Sequence, residues 1–402
     1  MSRRKTLEGE VRAMARGGDA IVATPEGDVY AALAVVGDHV RLGRLEGRGS
    51  SRRGTVVEVL RPGSARRESP CAHATRCGGC PWIVMEEEAA AKQKVLRLAR
   101  VIERLGEPVE VRCERGASLA YRRRARVAWK SGRIGFRARR SRAVVSVDRC
   151  VVLAPVLEQA LHQLPSLKGE GEASLALRDE VPVAVLRTSA VQPQEVYDAC
   201  QRLVADSTFA GIVLSVDGAH AQWGDAAPRF LAIDGLPLEG SVGGFAQAHE
   251  EVNAALVRYV AEMAEGAHCL ELFAGHGNLT VALAQDRKVV AVEQNAAAAE
   301  ACRASLAARN LAGTVHAADA TEFPRRNYDV VVLDPPRVGA RDVATLLAEA
   351  PPKRVVYVSC NVGTLGRDLA ILTAAGMRIV AARAFDMFPQ TPHLESVVTL
   401  QR

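Results

Sequence analysis

Short runs of apolar residues, separated by glycine, aspartate or proline, mark the first sixty residues. They lie at 20–23, 29–36 and 55–60, and each is about the length of one strand. Short strands joined by such turn residues are typical of a small β-barrel. We therefore predict a small β-barrel over residues 1–62.

The middle of the chain combines one helix with several strands. Residues 86–105, rich in Glu, Ala and Lys, predict the helix. The candidate strands have apolar or alternating patterns and lie at 125–129, 143–147, 181–187 and 211–216. We assign residues 63–245 to a central α+β domain.

Strands and helices alternate after residue 245. Predicted helices lie at 250–265, 279–285 and 296–310, and predicted strands at 268–272, 289–292, 330–333, 355–358 and 397–400. This alternation predicts a mainly parallel, Rossmann-like α/β sheet, in which ligands bind at the carboxyl ends of the strands. We assign it to residues 246–402.

Positive charge is concentrated in two segments of the chain. Residues 1–67 contain 13 Lys/Arg and 8 Asp/Glu, and residues 112–142 contain 12 Lys/Arg and 1 Asp/Glu. The whole chain, by contrast, has a net charge of only +6. This polarisation predicts a polyanionic partner, with a solvated arginine-rich face as the alternative. The candidate RNA-binding residues interleave aromatic rings with guanidinium groups: Tyr121, Arg122, Arg124, Arg126, Phe136 and Arg137.

Composition restricts the class of protein further. The apolar content of 48% is enough to fill two or three domain cores. The first residues do not form a signal peptide, and no apolar run approaches the roughly 18 residues that a membrane span needs. Nine unevenly placed cysteines do not resemble a secreted disulfide framework. We expect a cytoplasmic monomer that does not enter membranes.

A glycine turn follows the predicted strand 268–272. Gly275 and Gly277 permit close approach of a ligand to the backbone, and the helix that follows offers free amide groups. The next strand ends in Glu293, where an acid can hold a ribose diol. Because the third glycine of dinucleotide-binding turns is missing, the pattern favours an adenosyl cofactor without a pyrophosphate.

Three further candidates for chemistry lie near strand ends. Asp334 begins a stiff Asp-Pro-Pro-Arg loop that suits a planar group. Cys360 follows the strand 355–358; inert packing is the alternative, but this position favours a thiolate nucleophile for an electron-poor double bond. Glu395, with His393 nearby, precedes the last strand and is a candidate base or a surface carboxylate.

Four cysteines form a separate group in the central domain. Cys71, Cys77 and Cys80 lie within ten residues, and Cys150 lies downstream. Four thiolates can close a tetrahedral zinc site or hold a [4Fe-4S] cluster, and the spacing does not decide between them. Unliganded buried thiols are the third possibility.

Taken together, these motifs resemble those of the class I RNA uridine-5 methyltransferases, in particular the bacterial 23S ribosomal RNA branch with a TRAM domain and a four-iron cluster. The resemblance covers nearly the whole chain. Its most specific parts are the Cys-x5-Cys-Gly-Gly-Cys block, the stretches 121–126, 135–137 and 148–150, and the motifs Asp-Pro-Pro-Arg, Ser-Cys-Asn and Asp-Met-Phe-Pro-Gln-Thr.

The resemblance implies S-adenosylmethionine and a [4Fe-4S] cluster as cofactors and 23S rRNA as the partner. It implies that Cys360 attacks carbon 6 of a uracil and that Glu395 removes the proton from carbon 5. The implied cluster ligands are Cys71, Cys77, Cys80 and Cys150. The implied lining of the cofactor site is Gln247, Phe273, Asn278, Glu293, Asp319 and Asp334.

A few positions depart from the family pattern, although none removes the nucleophile or the base. His249, Val362 and Glu271 replace the usual residues, and Pro81-Trp82 replaces a glutamine-containing run. Two alternative functions stay open: a transfer-RNA uridine-5 methyltransferase, and a non-catalytic RNA-binding module with a degenerate methyltransferase domain. The branch that acts on transfer RNA generally looks unlike this chain, since it lacks the TRAM domain and the cluster cysteines.

Overall fold

The computed structural model describes residues 6–47, 49, 52–106, 108–244, 247–324 and 327–402. Within these residues the strands form a closed barrel, a seven-stranded sheet, a two-stranded sheet and an eight-stranded sheet. Residues 245 and 246, at the predicted boundary of the last domain, lie outside the described residues. None of the described helices combines the length and the apolar character that crossing a membrane requires.

The barrel predicted at the start of the chain is confirmed. Its strands are β1 (Leu7–Met14), β2 (Ala20–Thr24), β3 (Gly27–Ala31), β4 (His39–Glu46) and β5 (Arg53–Arg61), in the order β1-β2-β3-β5-β4. Pairing of β1 with β4 closes it. Its interior is apolar, with Val22, Val29, Val40 and Leu42 fully buried. The predicted strand 29–36 ends early, because the chain turns at Leu33, which has a φ of 59°.

A segment containing three cysteines leads from the barrel to α1 (Glu87–Glu103) and then to β6 (Val111–Glu114). Acidic residues in the first turn of α1 and Arg100 in its last turn suit the helix dipole. The buried side of α1 follows helical spacing and comprises Ala90, Ala91, Lys94, Leu98 and Ile102.

The central sheet has the strand order β13-β12-β11-β10-β7-β8-β9. Its strands are β7 (Ala125–Lys130), β8 (Arg133–Arg137), β9 (Val144–Val145), β10 (Glu170–Arg178), β11 (Val181–Thr188), β12 (Gly211–Val216) and β13 (Ala219–Gly224). Two helices, α2 (Pro155–Gln163) and α3 (Gln194–Ala205), share one apolar core with this sheet. The small hairpin of β14 (Arg229–Leu231) and β15 (Pro237–Glu239) follows.

The C-terminal part forms the predicted Rossmann-like sheet. Its strands are β16 (His268–Leu272), β17 (Lys288–Glu293), β18 (Gly313–Ala317), β19 (Val330–Leu333), β20 (Arg354–Ser359), β21 (Arg378–Phe385) and β22 (Glu395–Gln401). Its helices are α4 (Glu250–Met263), α5 (Thr280–Leu283), α6 (Ala296–Ala307), α7 (Arg341–Glu349) and α8 (Val362–Ala374). Strands β16 to β20 run parallel, whereas β22 is antiparallel to both of its neighbours, β20 and β21.

This sheet also takes in a segment from much earlier in the chain. Strand β6 pairs in parallel with β21 and becomes the eighth strand. Leu98 and Ile102 of α1 are buried in the same core as Leu365 and Leu369 of α8. Residues 87–114, within the predicted central domain, thus complete the C-terminal sheet, and the boundaries at 62 and 245 stay predictions.

A buried ion pair connects α1 to the segment between β21 and β22. The Lys94 side chain is 0% exposed, and its ammonium group donates to the Asp386 carboxylate and to the carbonyl oxygen of Phe388 (2.9 Å). Burial lowers the pKa of Lys94, and the Asp386 charge opposes that effect. A buried charge needs such a partner, because the protein interior solvates it poorly.

We expect Lys94→Met to destabilise the fold by about 3–5 kcal/mol, because it leaves the Asp386 carboxylate buried without a cation. The matched control is Lys92→Met, at an exposed position of the same helix. Urea unfolding of both variants measures the difference. A loss below about 1 kcal/mol for Lys94→Met would show that the pair does not hold the two segments together.

Candidate active site and nucleic-acid interface

The carboxyl ends of β16, β17, β19 and β20 meet at one edge of the eight-stranded sheet, as parallel neighbours must. Glu271 is near the end of β16, Glu293 ends β17, Asp334 follows β19 and Cys360 follows β20. The sheet topology therefore brings four chemically active side chains, separated by up to 89 positions in sequence, to the same edge.

The glycine turn after β16 is held by Glu293. The Gly275 amide donates to one carboxylate oxygen (2.9 Å) and the Asn295 amide to the other (2.7 Å). Phe273 has a left-handed φ of 66°. A side chain on Gly275 would point into open space, so a ligand has room at the turn. A carboxylate accepts up to about four hydrogen bonds, and Glu293 therefore retains capacity for a ribose hydroxyl.

The other predicted cofactor residues have different surroundings. The Asn278 side-chain amide exchanges hydrogen bonds with that of Asn253 (2.9 and 3.0 Å). Gln247 has a buried side-chain oxygen without a hydrogen-bond partner among the described residues. The Asp319 carboxylate accepts from the amide and hydroxyl of Thr321, and the side-chain hydrogen bond lowers the pKa of Asp319.

Two carboxyl groups near the glycine turn, those of Glu271 and Asp334, have raised pKa values. Glu271 is 1% exposed, and its Oε2 has no partner among the described residues. Burial raises the pKa of Glu271 to about 8, and the charges of Asp334 and Glu293 contribute, against a hydrogen bond with Thr280. Burial also raises the pKa of Asp334 to about 6. Sequence reasoning noted Glu271 but gave it no role; its unsatisfied oxygen, with Asp334 nearby, fits a cationic ligand.

The register of β20 and β22 brings Cys360 and Glu395 together. Ser359, the last residue of β20, pairs with Ser396, so Cys360, which follows the strand, comes opposite Glu395, the first residue of β22. The Ser396 hydroxyl donates to the carbonyl oxygen of Ser359 (3.0 Å) and supports this register. The predicted nucleophile and base are therefore cross-strand neighbours.

Both of these groups have raised pKa values. Burial raises the pKa of Cys360 to about 11, and the charges of Glu395 and Asp334 add to this, whereas Arg337 opposes it. Burial raises the pKa of Glu395, which is 8% exposed, to about 8; Asp334 also raises it and Arg337 lowers it. Arg337, from the Asp-Pro-Pro-Arg motif, is thus the cation that lowers the pKa of both Cys360 and Glu395.

Asn361, the residue after Cys360, makes hydrogen bonds to α8 and to the Asp-Pro-Pro-Arg loop. Its side-chain oxygen accepts from the amide of Gly363 (3.1 Å) and so caps α8. Its side-chain nitrogen donates to the carbonyl oxygen of Arg337 (3.0 Å). The residue directly after Cys360 therefore holds both the start of α8 and the proline loop in place.

A basic cleft lies in front of this site, with a volume of about 930 Å³. The described residues that line it include nine arginines and one acidic residue, Asp19. They come from the barrel, the cysteine segment, the central sheet and the loops around Glu395. Five of the six predicted RNA-binding residues contribute to the lining: Arg122, Arg124, Arg126, Phe136 and Arg137.

Tyr121 is placed differently from the other five. It is 7% exposed and its ring stacks on that of His249, with 4.6 Å between the centroids. Burial raises its pKa. The Tyr121 ring therefore does not line the cleft but packs beneath the segment 122–126 that carries the arginines. His249, which departs from the family pattern, also donates a hydrogen bond from its Nε2 to the carbonyl oxygen of Ala117 (2.9 Å).

The arginines of the cleft repel one another. Burial lowers the pKa of Arg124, and the positive charges of Arg126 and Arg122 lower it further. Bringing a polyanion into the cleft would relieve this repulsion and release its counterions. The geometry therefore suits a nucleic acid backbone.

The four predicted cluster cysteines line one small cavity beside this cleft: Cys71, Cys77, Cys80 and Cys150. Burial raises the pKa of Cys80 to about 12, and Cys150, Cys77 and Cys71 all contribute to the shift. The described residues contain no group of three or more His, Cys, Asp or Glu side chains placed to hold a metal ion. The structure thus gathers the thiols without arranging them around a single ion.

Comparisons with known proteins agree with this geometry. A family model described as tRNA (Uracil-5-)-methyltransferase matches residues 319–402, and one described as Methyltransferase small domain matches residues 241–351. The structure of a Pyrococcus abyssi tRNA (uracil-54, C5)-methyltransferase, in complex with S-adenosyl-L-homocysteine, matches with a TM-score of 0.78. It covers 98% of this chain and 100% of its own, at 23% identity. The C-terminal part is therefore a methyltransferase domain of the Rossmann-like class.

Two bacterial relatives extend the match over nearly the whole chain. The 23S rRNA (uracil(1939)-C(5))-methyltransferase RlmD of Chromohalobacter salexigens is 34% identical over 98% of this chain and 88% of its own. RlmD of Alkalilimnicola ehrlichii is 33% identical over 99% of this chain and 97% of its own. The chain belongs to the RlmD family of RNA uracil-5-methyltransferases.

We expect Glu395→Gln to become increasingly more stable than the wild type as the pH rises from about 4.5 to 8. In this range folded Glu395 keeps a proton that the unfolded chain has released, so the wild type loses stability with rising pH. One pKa unit corresponds to about 1.4 kcal/mol, which makes the final difference a few kcal/mol.

Denaturant unfolding at several pH values measures this effect. Glu103→Gln, at an exposed position of α1, is the matched control and should follow the wild-type profile. Parallel profiles for Glu395→Gln and the wild type would contradict the burial of an uncompensated carboxyl group at this site.

Proposed function

We propose that this protein transfers a methyl group from S-adenosylmethionine to carbon 5 of a uridine in 23S rRNA. Membership of the RlmD family supports this assignment. The observation that carries the chemistry is the strand register that sets Cys360 opposite Glu395, between the strand ends of a methyltransferase sheet and a cleft lined by arginines.

The uracil ring needs activation before it can accept a methyl group, because its carbon 5 is a poor nucleophile. The Cys360 thiolate adds to carbon 6, and the electrons of the carbon 5–carbon 6 double bond form an enolate. Carbon 5 of this enolate then takes the methyl group. S-adenosylmethionine would supply that group from its positively charged sulfonium; the bond between sulfur and methyl breaks, and the sulfur leaves as the neutral thioether of S-adenosylhomocysteine.

Glu395 completes the reaction as a general base. Its carboxylate removes the proton from carbon 5, and the electrons of that bond restore the double bond and expel the Cys360 thiolate. Arg337 favours the charged forms of both groups, since its positive charge lowers their pKa values. Asp334 begins the stiff proline loop, where it would orient the donor rather than move a proton.

The residues of the glycine turn and its surroundings fit the methyl donor. Glu293 has remaining acceptor capacity for a ribose hydroxyl, and the buried oxygens of Gln247 and Glu271 are unsatisfied among the described residues. Phe273, Asn278, Asp319 and Asp334 would form the rest of this site. A cationic donor would compensate the buried acidic charge of Glu271 and Asp334.

The cleft would hold the RNA while the target uridine leaves its stack. Attack on carbon 6 requires access to the face of the ring, so the base must be exposed, at a cost of a few kcal/mol that unpaired loops reduce. Arg122, Arg124, Arg126 and Arg137 would bind the flanking phosphates, and Phe136 would support a base.

The four clustered cysteines fit a [4Fe-4S] cluster better than a single zinc ion. In such a cluster each of four iron atoms takes one thiolate, so the ligands surround a body rather than converge on one point. Cys71, Cys77, Cys80 and Cys150 line one cavity, which supports this assignment. The cluster would have a structural role. The amide of Gly78, next to Cys77, donates to the carbonyl oxygen of Arg137 (3.0 Å) at the end of β8, so the cysteine segment holds part of the RNA-binding surface.

The first test is mass spectrometry of ribosomal and transfer RNA from cells that lack this protein. The RNA is incubated with S-adenosylmethionine and either the wild type, Cys360→Ala or Cys302→Ala; the last removes a buried thiol of the same domain. We expect 5-methyluridine in one 23S rRNA fragment with the wild type and Cys302→Ala, and none with Cys360→Ala.

The same assay separates the alternatives. Glu395→Gln should accumulate a covalent protein–RNA adduct that survives denaturing electrophoresis, because the thiolate cannot leave while carbon 5 keeps its proton. Methylation of transfer RNA alone would overturn the proposed substrate. No methylation of any RNA by the anaerobically prepared wild type would favour a binding module.

Metal analysis of anaerobically purified protein tests the cluster. We expect about four iron and four acid-labile sulfide per chain in the wild type. Cys80→Ser should lose the iron, whereas Cys200→Ser, at a buried cysteine of α3, should keep it. Zinc in place of iron and sulfide, or metal retained in Cys80→Ser, would refute the assignment.

A further inference from the structure

The barrel reaches the active site through Arg16, in the loop between β1 and β2. The Arg16 guanidinium donates to the side-chain oxygen of Asn361 (3.3 Å), the residue next to the nucleophile. It also lies against Gly363 in the first turn of α8, where an added Cβ would be 1.7 Å from its Nη2. A side chain from the start of the chain therefore stands beside Cys360.

A second arginine reaches the same place from α1. The Arg97 guanidinium donates to the carbonyl oxygen of Pro392 (2.5 Å), three residues before Glu395. The Pro392 ring packs closely on Gly18, whose added Cβ would lie 2.8 Å from its Cγ. The barrel loop, α1 and the segment before the base thus meet at one point, and Arg16 and Arg97 line the same cleft.

The two guanidinium groups repel each other, and neither has an acidic partner within the part of the chain that the structure describes. No carboxylate of the described residues lies within ion-pair distance of either group, although many other arginines of this chain have one. Burial lowers the pKa of Arg97, and the positive charge of Arg16 lowers it further. An anion between them would stabilise both, and phosphate suits the forked donors of arginine.

We propose that Arg16 and Arg97 form a phosphate-binding pair for the RNA backbone next to the uridine that Cys360 attacks. The nature of the anion follows from the cleft, whose arginine lining extends from this pair to the central sheet. The position of the phosphate follows from Asn361, which directly follows Cys360. A phosphate bound by Arg16 would lie beside the nucleotide whose base reaches Cys360. The identity of the RNA rests on the proposed function.

Trp82 holds the loop that carries Arg16. Its buried indole N–H donates to the carbonyl oxygen of Gly18 (2.9 Å), and its backbone amide donates to the carbonyl oxygen of Gln390 (3.0 Å). Trp82 is one of the positions at which this chain departs from the family pattern. It joins the barrel loop to the cysteine segment, so it positions the phosphate pair without touching the RNA.

The salt dependence of RNA binding tests the pair. The probe is a 23S rRNA fragment around uridine 1939, the position in the relatives' name, and its dissociation constant is measured across a series of salt concentrations. Arg16→Ala should weaken binding and reduce the slope of log K against log salt by about 0.7–0.9, the value of one lost phosphate contact. Arg12→Ala, on β1 and paired with Asp28, should leave the slope unchanged.

Gly363→Ala tests the same pair without removing a charge. Alanine favours a helix over glycine by about 1 kcal/mol, so α8 should become no less stable. Its methyl group would occupy the place of the Arg16 guanidinium, which must move away. We expect an unchanged or higher melting temperature together with the reduced salt slope of Arg16→Ala. Trp82→Phe, which removes the indole N–H together with part of a buried ring, should loosen the loop and show a smaller reduction of the slope.

The outcomes are separable from those of the proposed function. A wild-type salt slope for Arg16→Ala and Gly363→Ala overturns the phosphate pair, whether or not the wild type methylates the fragment. A reduced slope in both variants supports the pair, and methyl transfer by the wild type is measured separately on the same fragment. Reduced binding with an unchanged slope would show that Arg16 only positions Asn361 and does not contact a phosphate. That result would also overturn the proposed phosphate pair.

Discussion

The antiparallel insertion of β22 between β20 and β21 is the constraint on which the active site depends. Only a strand that runs against β20 can begin where β20 ends, and so place Glu395 opposite Cys360. Successive side chains of a strand alternate between the faces of a sheet, so a slip by one residue would turn Glu395 to the other face. The hydrogen bond from Ser396 to Ser359 lies in this ladder and opposes such a slip.

Charge is distributed across the site in two layers. Behind the strand ends lie Glu271, Asp334 and Glu395, whose pKa values are raised because water cannot reach them well. In front lies a cleft whose described lining is dominated by arginine. A cationic donor behind and an anionic RNA in front would each lower the electrostatic cost of gathering like charges in its layer. The protein thus keeps its charges apart until ligands neutralise them.

The sequence predicted the fold class and the placement of several polar residues, but not every strand. Glu293 and Asp334 sit in short motifs, so local patterns were enough to predict that they lie at strand ends. Strands β1 and β4 escaped prediction because Gly9 and Gly43 interrupt their apolar alternation. Strand β6 has only four residues, and its partner β21 lies far along the chain. Arg16 carries no local signal, because its role arises from contact between the barrel and α8.

The late completion of the eight-stranded sheet has a consequence for biosynthesis. Strand β6 and α1 emerge from the ribosome more than 260 residues before β21, their partner in the sheet. Until then the apolar side of α1, with Leu98 and Ile102, has no permanent cover. The nascent chain must therefore shield this surface during translation, by transient contacts or with a chaperone, and the enzyme matures only when its final hundred residues close over its beginning.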